Sequence, residues 1–359
     1  MISLSQEVFI NGCAIGPEHP CFVIAEVGVN HNGSVDTALT MVDAIAKAGA
    51  DCVKFQTFSA DEFVNNPAET FEYVSQGKIV VESQLAMFKR LELKRTEFSR
   101  LFTRAQERGL IPLSTPMDRP AVDLLDELGV GAFKIGSDDL VHTPFLEYVA
   151  SKGKPVIIST GMADLEDIER AVNTITSAGN NQVCILHCVS LYPTPDAAVN
   201  LRKIPALMER FPIPVGFSDH SDGITAALGA TALGAAVVEK HFTLDHDMPG
   251  PDHRFSADPQ ELEDLVSGIR RLERTFGDPT IVPAKGEMEM RRIARRSITA
   301  AHDLPVGHVI TENDLIYQRP GTGLMPYEAD KVIDREVRVA IAEKELINLQ
   351  HLQKKGPPA

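Results

Sequence analysis

The chain has 359 residues, of which 43% are hydrophobic and 24% are charged, and its formal net charge is −15 at pH 7. This composition is typical of a globular protein with a hydrophobic core, and the length predicts about two domains. Acidic residues outnumber basic ones and the basic residues form no block, so no nucleic acid and no membrane surface is expected as a partner. Small anions remain compatible with the sequence, because a few lysines are enough to bind one.

The sequence also indicates a compartment. No apolar run reaches the roughly 18 residues of a membrane-spanning helix, and the N-terminus has neither the basic flank nor the apolar segment of a secretion signal. The five cysteines, an odd number, lie in apolar surroundings that are typical of reduced thiols in a core. We therefore expect a cytoplasmic protein.

Eight short apolar segments recur in the first 240 residues, and each precedes a helical pattern. Such continuous apolar runs are typical of parallel strands that are buried on both faces. The predicted strands are Cys21–Glu26, Asp51–Gln56, Ile111–Ser114, Ala132–Ile135, Pro155–Ser159, Val183–His187, Pro214–Phe217 and Ala235–Glu239. Eight strand–helix units favour an α/β protein with a (β/α)8 TIM barrel. A doubly wound sheet is the alternative, but it usually has five or six strands and a Gly-x-Gly-x-x-Gly turn after the first one.

The barrel is predicted to span residues 1–276, with a small N-terminal hairpin within 1–19. Residues 277–290 contain two prolines and two glycines without periodicity, which predicts a linker. Residues 291–353 have short β-like runs and turns, which predict a small β-rich domain, and 354–359 are expected to form a flexible tail.

Active sites of TIM barrels lie at the C-terminal ends of the strands, and polar residues stand at the end of every predicted strand. One set of these residues joins two cations with several hydroxyl groups, which favours a phosphate or carboxylate ligand. This set is Lys54, Thr115, Lys134, Ser137, Ser159 and Ser218. A Schiff-base lysine, or structural ion pairs to Glu239 or Asp139, would account for the same lysines.

Two histidines end adjacent predicted strands. They are His220 and His241, and Glu26, Asp219 and Glu239 stand near them. Two imidazoles on neighbouring strands can share one divalent ion and leave positions open for a substrate oxygen. Two independently hydrogen-bonded histidines are the alternative explanation.

Nine motifs follow one another along the chain. They are Phe22-Val-Ile-Ala-Glu26-Val-Gly28-Val-Asn30-His31-Asn-Gly33, Gly49-Ala-Asp-Cys-Val-Lys54-Phe-Gln56-Thr, Lys134-Ile-Gly-Ser137, Ser159-Thr-Gly161-Met162, Tyr192-Pro-Thr-Pro195, Gly216-Phe-Ser218-Asp219-His220, Glu239-Lys-His241-Phe-Thr, Pro249-Gly-Pro-Asp252 and Arg319-Pro-Gly321-Thr-Gly323. In this order they resemble the sialic acid synthase family. The C-terminal module resembles the antifreeze-like (SAF) domain of these enzymes.

The resemblance implies that phosphoenolpyruvate condenses with the aldehyde of an open-chain N-acylated hexosamine, to give a nonulosonic acid and phosphate. N-acetylmannosamine is the usual acceptor, whereas legionaminic, pseudaminic and spore-coat sugar synthases of the same plan use other sugars. The resemblance also implies a divalent ion, commonly manganese, and magnesium or cobalt are the alternatives for this chain. It further implies a domain-swapped homodimer.

The resemblance also implies roles for individual residues. It assigns phosphoenolpyruvate to the lysine and hydroxyl set, the metal to His220 and His241, and the sugar to Glu26, Tyr192, Asp252 and the partner subunit's Arg319. Glu26 and Asp139, with the two histidines, are the expected catalytic residues, because a carboxylate can stabilise a cation at C2 or orient water there. Two departures bear on the acceptor: Asp138-Asp139 stands where bacterial members commonly have Gly-Glu, and Ser190 where they often have Asn.

Three other functions fit parts of the pattern. A metal-dependent barrel hydrolase would use histidines at the rim, but such enzymes usually have His-x-His after the first strand, where this chain has Glu26-Val-Gly28. A Schiff-base aldolase would need one desolvated lysine instead of an anion-binding cluster. A non-enzymatic ice- or glycan-binding module with the barrel as scaffold leaves the polar rim unexplained.

Overall fold

The structure is a computed structural model that describes residues 4–354. It divides into two compact units, with the boundary between Gly277 and Asp278. Residues 1–3 of the predicted hairpin segment and 355–359 of the predicted tail lie outside the described residues. Within residues 4–354, no helix is both long and apolar enough to cross a membrane.

The described part of the first unit contains 12 strands, eight of which form one parallel sheet. The strands are β1 (Val8–Ile10), β2 (Cys13–Ile15), β3 (Phe22–Gly28), β4 (Cys52–Thr57), β5 (Thr70–Ser75), β6 (Lys78–Ser83), β7 (Ile111–Pro116), β8 (Phe133–Ile135), β9 (Val156–Ser159), β10 (Val183–Cys188), β11 (Val215–Asp219) and β12 (Val237–His241). Their order in the sheet is β7-β4-β3-β12-β11-β10-β9-β8, and the end strands β7 and β8 pack against each other. The sheet is therefore a nearly closed barrel, and each predicted strand is present with ends shifted by no more than two residues.

Helices follow the barrel strands and cover the outside of the sheet. They are α1 (Val35–Ala48), α2 (Ala60–Phe63), α3 (Gln84–Leu91), α4 (Arg95–Glu107), α5 (Arg119–Glu127), α6 (Thr143–Ala150), α7 (Leu165–Ser177), α8 (Asp196–Val199), α9 (Lys203–Arg210), α10 (Thr225–Ala232) and α11 (Pro259–Phe276), with a 3₁₀ turn at His253–Phe255. Ser34 caps α1 by accepting a hydrogen bond from Thr37 N at 3.2 Å, and Gly49 ends the helix with φ of 82°. Asp258 and Glu261 form the predicted capping box of α11.

The barrel core explains why its strands are apolar throughout. Every residue of β9, β10, β11 and β12 is buried, because one face of each strand fills the barrel and the other contacts helices. Phe55 on β4 packs outward against the rings of Phe98 and Phe102 on α4, both with centroids 6.5 Å away. This packing holds β4, and with it Lys54, in place.

Two antiparallel hairpins accompany the barrel. The predicted N-terminal hairpin is formed by β1 and β2. A second hairpin, β5–β6, was not predicted and stands between β4 and α3, where Thr70 pairs with Ser83 and Ser75 with Lys78. It forms because Gln76 and Gly77 both adopt positive φ, of 52° and 72°, as two-residue hairpin turns require.

The second unit has its own small core. It contains α12 (Glu287–Ala294), β13 (Ser297–Ala300), β14 (Leu315–Gln318), β15 (Arg335–Val337) and β16 (Leu352–Lys354), with 3₁₀ turns at Glu312–Asp314, Pro326–Lys331 and Leu349–His351. The strands pair as β13–β14 and β15–β16, both antiparallel, around Ile298, Ile310 and Ile347. The predicted linker 277–290 is therefore not irregular throughout: α12 begins at Glu287, whose carboxylate accepts a hydrogen bond from Ala284 N at 2.7 Å.

A buried ion pair joins β11 and β12, the two strands whose C-terminal ends carry the candidate metal ligands His220 and His241. Asp219 on β11 and Lys240 on β12 are register partners, and both are about 1% exposed. Lys240 Nζ lies 3.0 Å from Asp219 Oδ2 and donates to Ser221 O at 2.8 Å. The pair thus fixes the register of β11 against β12.

We expect Lys240→Met to lower the free energy of unfolding by about 3–5 kcal/mol, because it leaves the Asp219 carboxylate buried without its cation. Urea unfolding measures the loss. Lys152→Met is the matched control, since Lys152 pairs with Asp123 at 2.6 Å near the surface, where an ion pair is worth about 1 kcal/mol or less. Equal losses in the two variants would contradict a special role for the buried pair.

Candidate active site

A cavity of about 660 Å³ opens at the C-terminal ends of the barrel strands. It is lined by most of the residues predicted for the site. These are Glu26, Lys54, Thr115, Lys134, Ser137, Ser159, Tyr192, Ser218, His220, His241 and Asp252. Two predicted site residues are not among the lining residues: Asp139, and Arg319, which belongs to the second unit.

Two lysines and two glutamates form a buried charge cluster at the bottom of the cavity. Lys54 forms an ion pair with Glu26, lies 3.8 Å from Glu239 Oε2 and donates to Thr115 Oγ1 at 3.1 Å. Lys134 Nζ lies 3.3 Å from Glu239 Oε1. The charges balance within the cluster, so an anion that binds the lysines must compete with the glutamates.

The electrostatics of this cluster keep Lys54 cationic. Burial opposes the charge on Lys54, but Glu239 and Glu26 outweigh it and raise the pKa of Lys54. Burial raises the pKa of Glu26 despite Lys54, whereas the two lysines outweigh burial at Glu239 and lower its pKa. A Schiff-base lysine must lose its proton to attack a carbonyl, so the raised pKa of Lys54 favours anion binding instead.

Hydroxyl groups converge beside the lysines. The Oγ atoms of Ser159 and Ser190 are buried without a hydrogen-bond partner among the described residues, and Ser137 Oγ accepts a hydrogen bond from Gly161 N at 2.9 Å. A Cβ atom at Gly161 would collide with Ser190 Oγ and lie 2.7 Å from Ser137 Oγ. The glycine thus leaves a cradle whose free hydroxyls suit a ligand with several oxygen atoms.

The two histidines stand side by side, with ring centroids 5.4 Å apart. His220 Nδ1 lies 3.0 Å from the carbonyl oxygen of Val189, which leaves Nε2 for another partner. His241 Nδ1 is buried without a hydrogen-bond partner among the described residues, and burial lowers the pKa of His241 well below its ordinary value. A neutral imidazole with an unused nitrogen beside a second one fits a divalent ion.

Aromatic and acidic side chains complete the outer part of the cavity. The Tyr192 ring lies 4.4 Å from that of His220 and 5.4 Å from that of Phe255. Asp252 Oδ2 lies 3.9 Å from His241 Nδ1, and burial raises the pKa of Asp252 to about 6. This end of the cavity offers a ring face and a carboxylate, which suits the hydroxyl groups of a sugar.

The structure separates the two neighbouring aspartates after β8. Asp138 lines the cavity, whereas Asp139 does not. Burial and the adjacent Asp138 carboxylate raise the pKa of Asp139 to about 6. Asp138 is therefore the carboxylate of this turn that borders the cavity.

Several cavity residues were missed by the sequence analysis. Cys188 was assigned to the core, but it lines the cavity, and its thiol lies 3.8 Å from His220 Nδ1. Burial raises the pKa of this thiol, but His220, Ser137 and Lys134 together outweigh burial and lower it. The hairpin β5–β6 contributes Phe71 and Tyr73. The Gln76-Gly77 turn between two β-rich runs is the signal that predicts such a hairpin.

Within residues 4–354, three side chains that could bind a metal form one cluster, which lies outside the cavity lining. It consists of His246, Asp258 and Glu261, and its atoms already have partners. Asp258 and Glu261 cap α11, and His246 Nε2 lies 3.1 Å from Glu261 Oε2. The group is explained by the helix cap.

Comparison with known proteins identifies the family. Residues 41–280 match the NeuB family and residues 295–353 match the SAF domain. The N,N'-diacetyllegionaminic acid synthase of Legionella pneumophila is 40% identical over 342 residues, which are 94% of this chain and 96% of that protein. The chain belongs to the NeuB family. The N-acetylneuraminate-9-phosphate synthase of Homo sapiens is 36% identical over 339 residues, 93% of each chain.

A solved structure gives the same result for the fold. The N-acetylneuraminic acid synthetase of Leptospira borgpetersenii, in complex with citrate, aligns with a TM-score of 0.72 at 35% identity and covers 81% of this chain and 96% of that one. The predicted family and the barrel with its SAF domain are confirmed. The predicted enzyme class, a carbon–carbon bond-forming synthase of the N-acetylneuraminate type, is confirmed as well.

The raised pKa of Asp252 predicts a pH-dependent stability. The folded chain keeps this proton up to about pH 6, whereas an unfolded aspartate loses it near 4, so ionisation destabilises the fold as pH rises between these values. We expect Asp252→Asn to match the parent at pH 4 and to exceed its free energy of unfolding by about 2 kcal/mol at pH 7. Urea unfolding at both values measures this, with the exposed Asp247→Asn as the control. A variant without a gain at pH 7 would contradict the burial of the charged carboxylate.

Proposed function

We propose that this enzyme condenses phosphoenolpyruvate with the open-chain aldehyde of an N-acylated hexosamine to give a nonulosonic acid and inorganic phosphate. N-acetylmannosamine is the simplest such acceptor. The observation that carries the proposal is the arrangement of one cavity: a buried lysine and hydroxyl set at the bottom, two histidines beside it and a sugar-compatible end above. We place the reaction in the cytoplasm, in keeping with the five free thiols.

Phosphoenolpyruvate carries a phosphate and a carboxylate, and it is assigned to the bottom of the cavity. Lys54 and Lys134 provide two cations, and both are about 3% exposed. Thr115, Ser137, Ser159 and Ser218 surround them with hydroxyl groups. Hydrogen bonds from cations to anionic oxygens are strong, so the phosphate and carboxylate oxygens of the ligand can compete with Glu26 and Glu239 for the lysines.

The reaction forms the bond between C3 of phosphoenolpyruvate and the aldehyde carbon. Positive character develops at C2, water adds there, and phosphate leaves with the electrons of its C–O bond. Bound by His220 and His241, a divalent ion, manganese in preference to magnesium or cobalt, would supply Lewis acidity to the aldehyde oxygen.

Two carboxylates are assigned to the steps in which C2 becomes positively charged and water adds to it. Glu26 lies against Lys54 and can stabilise the cation at C2 or orient the attacking water. Asp139 was expected to take part in the same steps, but it does not line the cavity, so the neighbouring Asp138 is proposed in its place. Tyr192 and Asp252 are proposed to hold the hydroxyl groups of the sugar.

Arg319 is proposed to reach the sugar in the cavity of a partner subunit, within a domain-swapped homodimer. The Arg319 side chain is exposed, and no ion pair joins it to any residue in 4–354. The backbone beside it is held by hydrogen bonds from Ser297 Oγ to Pro320 O at 2.6 Å and from Gly321 N to Arg292 O at 2.8 Å. A fixed backbone with an unpaired guanidinium supports a role in binding a ligand of another chain.

A phosphate-release assay tests the reaction. With manganese present, phosphate should appear only when phosphoenolpyruvate and an N-acyl hexosamine are supplied together, and mass spectrometry should find the nine-carbon acid. A chelator should abolish the release, and manganese, cobalt or magnesium should restore it. His220→Ala and His241→Ala should lower the bound metal as well as the rate. Full activity of the chelator-washed enzyme would contradict the metal assignment, and release without a sugar would contradict the reaction.

Subunit mixing tests the partner assignment. Inactive Arg319→Ala chains mixed with inactive His220→Ala chains should recover part of the activity, because some mixed dimers then contain one intact site. Mixing His220→Ala with Lys134→Ala is the matched control and should recover none, since both changes lie in the barrel. If verified subunit exchange restores nothing in the first mixture, each chain completes its own site.

A further inference from the structure

A second apolar cluster borders the cavity and is separate from the barrel core. Val29, Phe58, Met87 and Leu91 are buried in it, and Tyr73, Phe88 and Met117 pack against them. The cavity-lining members of this cluster, together with Phe71, are here named the hairpin wall. They are Val29, Phe71, Tyr73, Met87, Phe88 and Met117.

The hairpin wall is held rigidly from behind. The Phe88 ring contacts those of Phe58 and Phe63 edge-on, with centroids 5.2 Å and 4.9 Å apart. The Tyr73 hydroxyl donates to Glu82 at 2.6 Å, and Arg90 holds the same carboxylate with two hydrogen bonds of 2.8 and 2.9 Å. The wall therefore presents a preformed apolar surface to the cavity.

Hydrogen bonds join the hairpin to the segment that carries Asp252. Gly250 N donates to Ser75 Oγ at 3.0 Å, and Gln76 Nε2 donates to Asp247 O at 2.9 Å. Strand β5 also packs against the turn His253–Phe255 that follows Asp252. The hairpin part of the wall, Phe71 and Tyr73, consequently belongs to the acceptor end of the cavity.

We infer that the hairpin wall selects the acceptor by its apolar substituents, and that the enzyme prefers a hexose with two acylamido groups over one with a single group. This inference rests on the proposed function. In the proposed function, Arg319 contacts one acyl group of the sugar. A sugar with only one acetamido group therefore leaves hydroxyl groups and water against the hairpin wall. A second acylamido group places a methyl group there, and one such group in an apolar pocket is worth roughly tenfold or more in kcat/KM.

Competing acceptors test the inference. We expect kcat/KM for 2,4-diacetamido-2,4-dideoxymannose to exceed that for N-acetylmannosamine by about tenfold or more. Phe71→Ser and Met87→Gln should lower this ratio about fivefold or more through the KM of the diacetamido sugar, while the KM for phosphoenolpyruvate stays unchanged. Phe71 is 40% exposed, so its replacement leaves the core intact, which a thermal unfolding midpoint verifies.

Ile79→Ser is the matched control. Ile79 lies on the same hairpin, is 69% exposed and does not line the cavity. An equal effect of Ile79→Ser, a preference of the parent for N-acetylmannosamine, or a ratio that neither wall variant alters would each overturn the inference. In all three cases the proposed reaction stands, whereas failure of both sugars to release phosphate would overturn the reaction itself.

Discussion

Four buried charges in the mouth of the barrel impose the main constraint on this structure. Lys54, Lys134, Glu26 and Glu239 come from four strands, and none of their side chains is more than 6% exposed. An unpaired charge at such depth costs several kcal/mol, so the cluster is stable only when β3, β4, β8 and β12 meet in one nearly closed sheet. The same burial prepares the cluster for an anion. Burial raises the pKa of Glu26. When the lysines contact a ligand in place of Glu26, the same burial favours the protonated, neutral form of the Glu26 carboxyl group.

The degree of burial also decides how much of the fold the sequence predicts. The barrel strands are readable because both faces are buried, which leaves continuous apolar runs such as Val183–Leu186. The hairpin β5–β6 is half exposed, and its polar and apolar residues mix without a run of that kind. Helix α12 has only eight residues and buries none of them, so it is too short to show a sustained helical period in the sequence. Helices and strands that contribute little to a core therefore leave only a weak hydrophobic pattern in the sequence.

The barrel topology makes it predictable which residues lie at the rim. It does not determine which of their side chains point into the cavity. Parallel strands of a barrel all end at one rim, so the polar residues there must converge, as Lys54, Ser159 and His241 do. Which side chain points inward depends on strand phase and turn geometry. His187 and Cys188 both follow an apolar run, so no alternation of polar and apolar residues marks which of them faces inward. In the structure, Cys188 lines the cavity and His187 does not. The turn after β8 leaves the same ambiguity for Asp138 and Asp139.

Strand alternation links the outer face of the barrel to the chemistry inside it. On β12, Glu239 and His241 line the cavity, and Lys240 between them faces away. On β11 and the residue after it, Ser218 and His220 line the cavity, and Asp219 between them faces away. Ser218 is the register partner of Glu239, and Asp219 is that of Lys240, so the next positions along both strands are the two histidines. A slip of one residue would turn Lys240 into the cavity and His241 out of it. The outer ion pair therefore excludes the register in which the histidines could not share a ligand.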